Sequence, residues 1–151
     1  MSEATRTGQI QIRIDLPGRD DDVDQESFWA EPLGDDRYRL CSIPFYAYDL
    51  HYGDIVQAGA GGDNLPTVSH VVEPSGHKTL RVLFGDELEA DDVQRLLDGL
   101  TSRGTQATQI EGYFYALNVP PAADYQAICT LLWNQENAGW LRYETGTTPP
   151  V

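Results

Sequence analysis

The chain has 151 residues, of which 40% are hydrophobic, and a formal net charge of −14 at pH 7. This hydrophobic content is sufficient for a folded core, whereas the charge opposes binding to nucleic acid and to anionic lipid, which are themselves negative. No apolar run approaches the roughly 20 residues of a membrane helix, and residues 1–10 lack the apolar stretch of a secretory signal. We therefore expect a cytoplasmic protein, and two cysteines, Cys41 and Cys129, are too few for a disulfide framework.

The first half of the chain predicts short β-strands separated by glycine and proline turns. Residues 9–16 alternate apolar and polar side chains, as a half-buried strand does. Further strands are predicted over 27–33, 37–43, 55–58 and 67–73. Five such strands indicate a small β-barrel or a curled antiparallel sheet over residues 9–74, preceded by a flexible N-terminus at 1–8.

The second half predicts a unit that mixes strands and helices. A strand at 78–84 precedes a helix at 89–102, which has apolar residues at helical spacing and is followed by Gly104. Two extended runs, 105–111 and 113–119, then meet at Gly112 and predict a hairpin or one long bent strand. The apolar side chains that we expect to be buried across both halves are Ile12, Ile14, Val82, Leu96, Leu97, Leu117, Ile128 and Leu132.

A second helix, ending near Asn137, and a last strand at 140–144 complete this half. The order β-α-β-β-α-β is typical of a ferredoxin-like unit, which we predict over residues 75–144. A flexible tail is expected at 145–151. The fold class that the sequence predicts is therefore α+β, with a β-rich subdomain followed by a ferredoxin-like subdomain.

Negative charge is concentrated between Asp15 and Asp36, where nine carboxylates accompany a single cation, Arg19. Within this stretch, the carboxylates of the loop at 18–26 repel one another, so we expect the loop to be mobile or poorly ordered. Such a field attracts cationic proteins, although solubility or adaptation to salt would produce the same charge. The carboxylates that we assign to partner binding are Asp20, Asp21, Asp22 and Asp24.

Residues 45–52 form the densest aromatic segment of the chain. Tyr46, Tyr48 and Tyr52 alternate with smaller residues, so one edge would present several phenol rings to a protein partner or a flat ligand. The alternative is that the rings close the contact between the two halves of the chain. We assign the three tyrosines to partner binding.

No pattern in the sequence forms a catalytic set, so we predict no catalytic residue, no metal and no cofactor. His77 follows a glycine in a loop, where an imidazole can act as a base or contact an anion, and a surface turn produces the same pattern. His77 and Asp54 are therefore candidate ligand-binding residues. The histidines lack metal-site spacing, and residues 20–24 lack the glycine and terminal glutamate of a calcium loop.

Several runs of the chain together form a recognisable pattern: 27–34, 38–40, 43–48, 52–56, 75–77 with 81–82, and 115–120 with 124–125. In these runs the chain resembles a bacterial family known only as domain of unknown function 4265. The similarity extends from about Gln9 to Glu144. It implies a compact bacterial fold, and it brings no activity and no catalytic residue.

These observations favour an acidic protein-binding module over an enzyme. An immunity-type neutraliser of a basic toxin enzyme would combine carboxylates that steer association with aromatic side chains that anchor it. The alternative is a small-molecule sensor that uses residues 45–52, and a third hypothesis is an enzyme that uses His77 with a tyrosine or an aspartate. The sequence does not determine the oligomeric state.

Overall fold

The computed structural model describes residues 8–16, 24–59 and 65–147. The chain divides into two compact units, Met1–Ser75 and Gly76–Val151. In the described residues the first unit consists of strands, and the second combines strands with two helices. The protein is therefore α+β, as the sequence predicts.

The first unit is a closed barrel. Its strands are β1 (Ile10–Asp15), β2 (Gln25–Gly34), β3 (Arg37–Leu40), β4 (Ile55–Gly59) and β5 (Thr67–Glu73), in that order around the barrel. Neighbouring strands are antiparallel except β1 and β5, which pair in parallel where Arg13 meets Thr67. An up-and-down barrel of five strands must close through a parallel pair, because strand direction alternates. The predicted barrel is confirmed, whereas an entirely antiparallel sheet is wrong at the closing pair.

The hairpin between β2 and β3 shows how local sequence sets the barrel. Asp35 and Asp36 form its two-residue turn and both have positive φ, 56° and 62°, the geometry that matches the twist of paired strands. Strand β3 ends at Leu40, earlier than the predicted residue 43. Beyond Leu40 the Cys41 N–H still donates to the Trp29 carbonyl (2.8 Å), and the N–H of Trp29 donates to the Ser42 hydroxyl (2.9 Å).

The barrel core departs from simple alternation in β5. Alternation places Val68 and Val72 on the same face, but the structure buries Val68 and packs Val71 against the core. The pairing with β4 shifts between Gln57 and Ala58, so one extra residue of β5 changes the phase of the strand. The buried apolar residues of this unit are Ile12, Phe28, Ala30, Leu40, Ala47, Leu50, Val56, Ala58 and Val68.

The second unit contains a four-stranded antiparallel sheet in the order β7-β8-β6-β9. Its elements are β6 (Lys78–Phe84), α1 (Ala90–Thr101), β7 (Gln106–Glu111), β8 (Phe114–Val119), α2 (Tyr125–Asn137) and β9 (Leu141–Thr145). Strands β7 and β8 pair around Gly112, which confirms the predicted hairpin. Each helix begins at an acidic cap: Glu89 forms a capping box with Asp92, and Asp124 accepts the N–H of Ala127 (3.1 Å).

Apolar residues of both helices and of the sheet form one core in this unit. Its buried members are Leu80, Val82, Phe84, Leu88, Val93, Leu97, Leu100, Leu117, Val119, Ile128, Leu132 and Leu141. Burial is confirmed for most of the predicted core residues. Leu96 and Ile14 are only half-buried, although each packs against the core of its own unit.

Replacing Leu132 by alanine should lower the free energy of unfolding by about 2–5 kcal/mol, because its side chain is 1% exposed and its removal leaves a cavity. Urea unfolding measures the loss. Leu83→Ala in the same unit is the matched control, since Leu83 is 49% exposed and should lose much less. Equal losses in the two variants would contradict this description of the core.

Candidate functional site

Residues 41–54 connect β3 to β4 without forming a strand, so their backbone N–H groups need other partners. The carboxylate of Glu26 supplies three acceptor contacts. Its Oε2 accepts the N–H of Phe45 (2.6 Å), and its Oε1 accepts those of Tyr46 (3.0 Å) and Ala47 (2.9 Å). One side chain of β2 therefore fixes the first part of the aromatic segment.

A second carboxylate, that of Asp54, fixes the other end of the segment. Its Oδ2 accepts the N–H of His51 (2.9 Å), and its Oδ1 accepts the N–H of Ser75 (2.8 Å). The Ser75 hydroxyl donates in turn to the carbonyl of Tyr52 (2.7 Å). Asp54 is 2% exposed, and the structure places both of its oxygens in main-chain hydrogen bonds.

The fixed segment presents its side chains unequally. Ala47 and Leu50 are buried, which holds the segment against the barrel core. Tyr48 is 42% exposed, whereas Tyr46 and Tyr52 are half-buried. The three tyrosines thus lie on one segment, but Tyr48 is the only one of them that is exposed. The sequence suggests that all three rings are presented together.

Of the carboxylates assigned to partner binding, Asp20, Asp21 and Asp22 lie outside the described residues, as does most of the loop predicted to be mobile. Asp24 is exposed, and its carbonyl accepts the N–H of Leu16 (2.9 Å). Other exposed carboxylates of the barrel unit are Asp15, Glu31, Asp35, Asp36, Asp49 and Glu73. Negative charge therefore extends beyond the acidic loop.

His77, the other candidate ligand-binding residue, belongs to the second unit. It is half-buried, and its Nδ1 lies 3.2 Å from Oδ1 of Asn118. Because Nδ2 of Asn118 donates to Gln106 (2.9 Å), the amide oxygen faces the imidazole, and Nδ1 is the donor. The structure therefore gives His77 a place in a polar network with a buried asparagine.

An ion pair between a buried arginine and a half-exposed glutamate on the same sheet was not predicted from the sequence. The side chain of Arg81 is completely buried, and its Nε donates to Glu144 (2.9 Å), whose side chain is 47% exposed. Both residues occupy strand positions that alternate with core residues, so the sequence pattern alone assigns them to solvent. Removing Glu144 would leave a guanidinium buried without this partner, which is costly.

Tyr125, Cys129 and Tyr143 form a titratable cluster around α2. Burial, together with a hydrogen bond to Cys129, raises the pKa of Tyr125 well above its ordinary value of 10.0. Burial also raises the pKa of Tyr143, with further contributions from Cys129 and Glu136. Cys129 and Cys41 are each half-buried and are not joined by a disulfide bond.

Residues 8–16, 24–59 and 65–147 contain no group of three or more histidine, cysteine, aspartate or glutamate side chains that could hold a metal ion. No helix in these ranges is both long and apolar enough to span a membrane.

Glu26→Gln should lower the free energy of unfolding by roughly 1–3 kcal/mol. In the wild type a carboxylate oxygen of Glu26 accepts each backbone N–H, whereas the glutamine NH₂ group would place a donor against one of these donors. Hydrogen exchange should accelerate at the amides of Phe45 to Ala47. Glu31→Gln is the control, because Glu31 makes only an exposed ion pair with Arg39 and should lose less than about 1 kcal/mol. Unchanged exchange at these amides in Glu26→Gln would contradict the role of Glu26.

The raised pKa of Tyr125 predicts a loss of stability at alkaline pH. Below pH 10.0 the phenol is protonated in the folded and unfolded states, and its contribution is fully present. Above that pH the unfolded chain loses the proton first, so the free energy of unfolding falls as pH rises towards the folded-state pKa. Tyr125→Phe should flatten this fall, and a comparison at about pH 7 controls for the lost hydrogen bond. An unaltered slope in the variant would refute the assignment.

Comparison with known proteins places the chain in a family. The family model described as "Domain of unknown function (DUF4265)" matches residues 26–143. A solved structure, "Novel crystal structure of a hypothetical protein from Neisseria gonorrhoeae", has a TM-score of 0.79 at 18% identity, over 95% of this chain and 97% of that chain, and supports the fold alone. None of the curated proteins matches. The resemblance seen in the sequence is confirmed: the chain belongs to the family of domain of unknown function DUF4265.

Proposed function

We propose that this protein is a protein-binding module that takes a cationic protein partner on the barrel surface around Tyr48. The observation that carries the proposal is a 42% exposed tyrosine on a segment whose backbone is fixed by Glu26 and Asp54. An aromatic anchor that is already ordered loses little entropy when it binds. Tyrosine is also among the residues that most often dominate binding energy at protein interfaces.

Charge supports the cationic class of partner. Asp49 is exposed beside Tyr48, and the turn of the β2–β3 hairpin carries two further exposed carboxylates, Asp35 and Asp36. The stretch from Asp15 to Asp36 holds nine carboxylates and one cation. A field of this sign accelerates encounter with a basic protein and repels nucleic acid.

The concrete form of the proposal is an immunity-type neutraliser that occludes a basic toxin enzyme in the cytoplasm. Occlusion needs a well-placed surface and no reacting group, and Asp54, one of the two candidate ligand-binding residues, is already engaged in main-chain hydrogen bonds. We also infer a ferredoxin-like second unit. The chain order β-α-β-β-α-β with the sheet order β7-β8-β6-β9 supports that inference.

Replacing Asp20, Asp21, Asp22 and Asp24 with asparagine should slow association with a co-purified partner, because these charges steer the encounter. Surface-based kinetics at two salt concentrations measure the on-rate, and screening over roughly 10 Å at about 0.1 M salt should reduce the difference between wild type and variant. An on-rate that responds neither to salt nor to the replacement would contradict steering. The acidity would then serve solubility or salt adaptation.

Tyr48→Ala should leave the fold intact and raise the off-rate of the same partner by about tenfold or more, as loss of a buried anchor does. Trp133→Ala is the control, since Trp133 is an exposed aromatic residue on α2 of the second unit. Equal effects of the two replacements would refute the assigned surface. A small aromatic compound that stabilises the wild type but not Tyr48→Ala would favour the sensor function instead.

A further inference from the structure

The second unit carries two adjoining hollows that the proposed function does not use. They flank the point where the loop before α1 meets the turn after α2, at the hydrogen bond from the Gly85 N–H to the Trp140 carbonyl (2.9 Å). We call the first the acidic hollow; it has a volume of about 560 Å³ and is lined in part by Asp86, Glu87 and Glu136. We call the second the tryptophan hollow; it has a volume of about 230 Å³.

The acidic hollow has carboxylates in excess. Asp86 and Glu87 are exposed and form no ion pair with any residue that the structure describes. Glu136 is half-buried, and its Oε2 accepts the N–H of Tyr143 (3.2 Å). Arg142 is the one cationic side chain among the residues that line this hollow. Three carboxylates against one guanidinium leave a local negative charge that a basic side chain would neutralise.

The tryptophan hollow is apolar at its base. Trp140 is 43% exposed, while Leu88 is buried and Leu96 is half-buried beside it. The charged residues at its rim, Asp92 and Arg95, are already paired at 3.3 Å. A hollow lined by leucine side chains and an exposed indole can accommodate an apolar side chain, and the indole can stack against the aliphatic part of an arginine.

We propose that the two hollows together form a docking groove for a basic segment of another protein, independent of the surface around Tyr48. An arginine or lysine of that segment lies against Asp86 and Glu87, and a neighbouring apolar side chain enters the hollow beside Trp140. Gly85 lines the acidic hollow and Trp140 lines the tryptophan hollow, and the hydrogen bond between their backbones places these two residues side by side, so we expect one extended chain to reach both hollows. The charge disfavours nucleic acid, and a second copy of this chain would bring the same net charge of −14.

Fluorescence anisotropy with a labelled peptide of alternating arginine and leucine tests the groove. The matched probe carries citrulline in place of arginine, which keeps the shape and removes the charge. Wild type should bind the arginine peptide at least about tenfold more tightly than the citrulline peptide. Equal affinity for the two peptides would overturn the assignment of the acidic hollow.

Variants with matched controls locate the binding. Trp140→Ala, and separately Asp86→Asn with Glu87→Gln, should each weaken the arginine peptide about tenfold or more. The controls should bind as wild type does: Trp133→Ala, and Asp98→Asn with Glu111→Gln, which alter exposed residues outside both hollows. Circular dichroism verifies that each variant is folded. If Trp140→Ala does not fold, the variant with Asp86→Asn and Glu87→Gln serves as the test.

Three results would overturn the proposal. The first is equal loss in the variants and their controls, which would indicate general attraction to an acidic protein. The second is a dimer by light scattering that Trp140→Ala dissociates, which would make a second copy the occupant. The third is loss of peptide binding in Tyr48→Ala, which would place the peptide on the barrel surface. Retained binding in Tyr48→Ala supports the groove even if the proposed function fails.

Discussion

The constraint on which the candidate surface depends is that backbone N–H groups outside strands and helices still need acceptors. Between β3 and β4 that need is met by two carboxylates, Glu26 on the preceding strand β2 and Asp54 at the start of β4. Ala47 and Leu50 are buried beneath the segment, so it is held both by hydrogen bonds and by packing. Because the backbone has little freedom, the exposure of Tyr48 is a fixed property of the fold.

This arrangement separates two uses of negative charge in one acidic protein. Glu26 and Asp54 are bound to main-chain donors and organise structure, as carboxylates do when they accept several N–H groups. The exposed carboxylates of the barrel and of the acidic hollow lie at the surface, where their field extends into solvent. A change that neutralises one class should therefore affect stability, and a change in the other should affect association.

Periodicity in the sequence predicts the regular elements well. Helix α2 follows from helical spacing, because it buries one face against a single core. Strand β6 is also predicted, although four of its residues in a row, 79–82, are buried and not every second one. The phase of β5 does not follow from alternation, since an extra residue near Ser69 shifts Val71 towards the core. Periodicity predicts which face of a strand is apolar, but it does not predict a bulge that turns later residues of the same strand towards the other face.

The side-chain roles were less accessible to sequence reasoning. Glu26 looks like any other carboxylate of the acidic stretch, and its partners lie 19 to 21 residues further along the chain. Arg81 alternates with core residues and so reads as exposed, yet its side chain is completely buried. Both roles arise from tertiary contacts, to which local patterns do not respond. The family model and the similar solved structure support the fold, and neither assigns an activity or a site residue. The function is therefore inferred from the exposed surfaces of this chain.

The central claim is that the hydrogen bonds of Glu26 prepare Tyr48 for binding. A double-mutant cycle on the off-rate of the cationic partner tests it most directly, with Tyr48→Ala, Glu26→Gln and the two combined. The account predicts strong coupling: once Glu26 is replaced, removal of the Tyr48 ring should cost much less than it does in the wild type. If the free-energy effects of Tyr48→Ala and Glu26→Gln on the off-rate are additive, the role of Glu26 is contradicted, since the Tyr48 ring would then bind equally well on a segment without these hydrogen bonds.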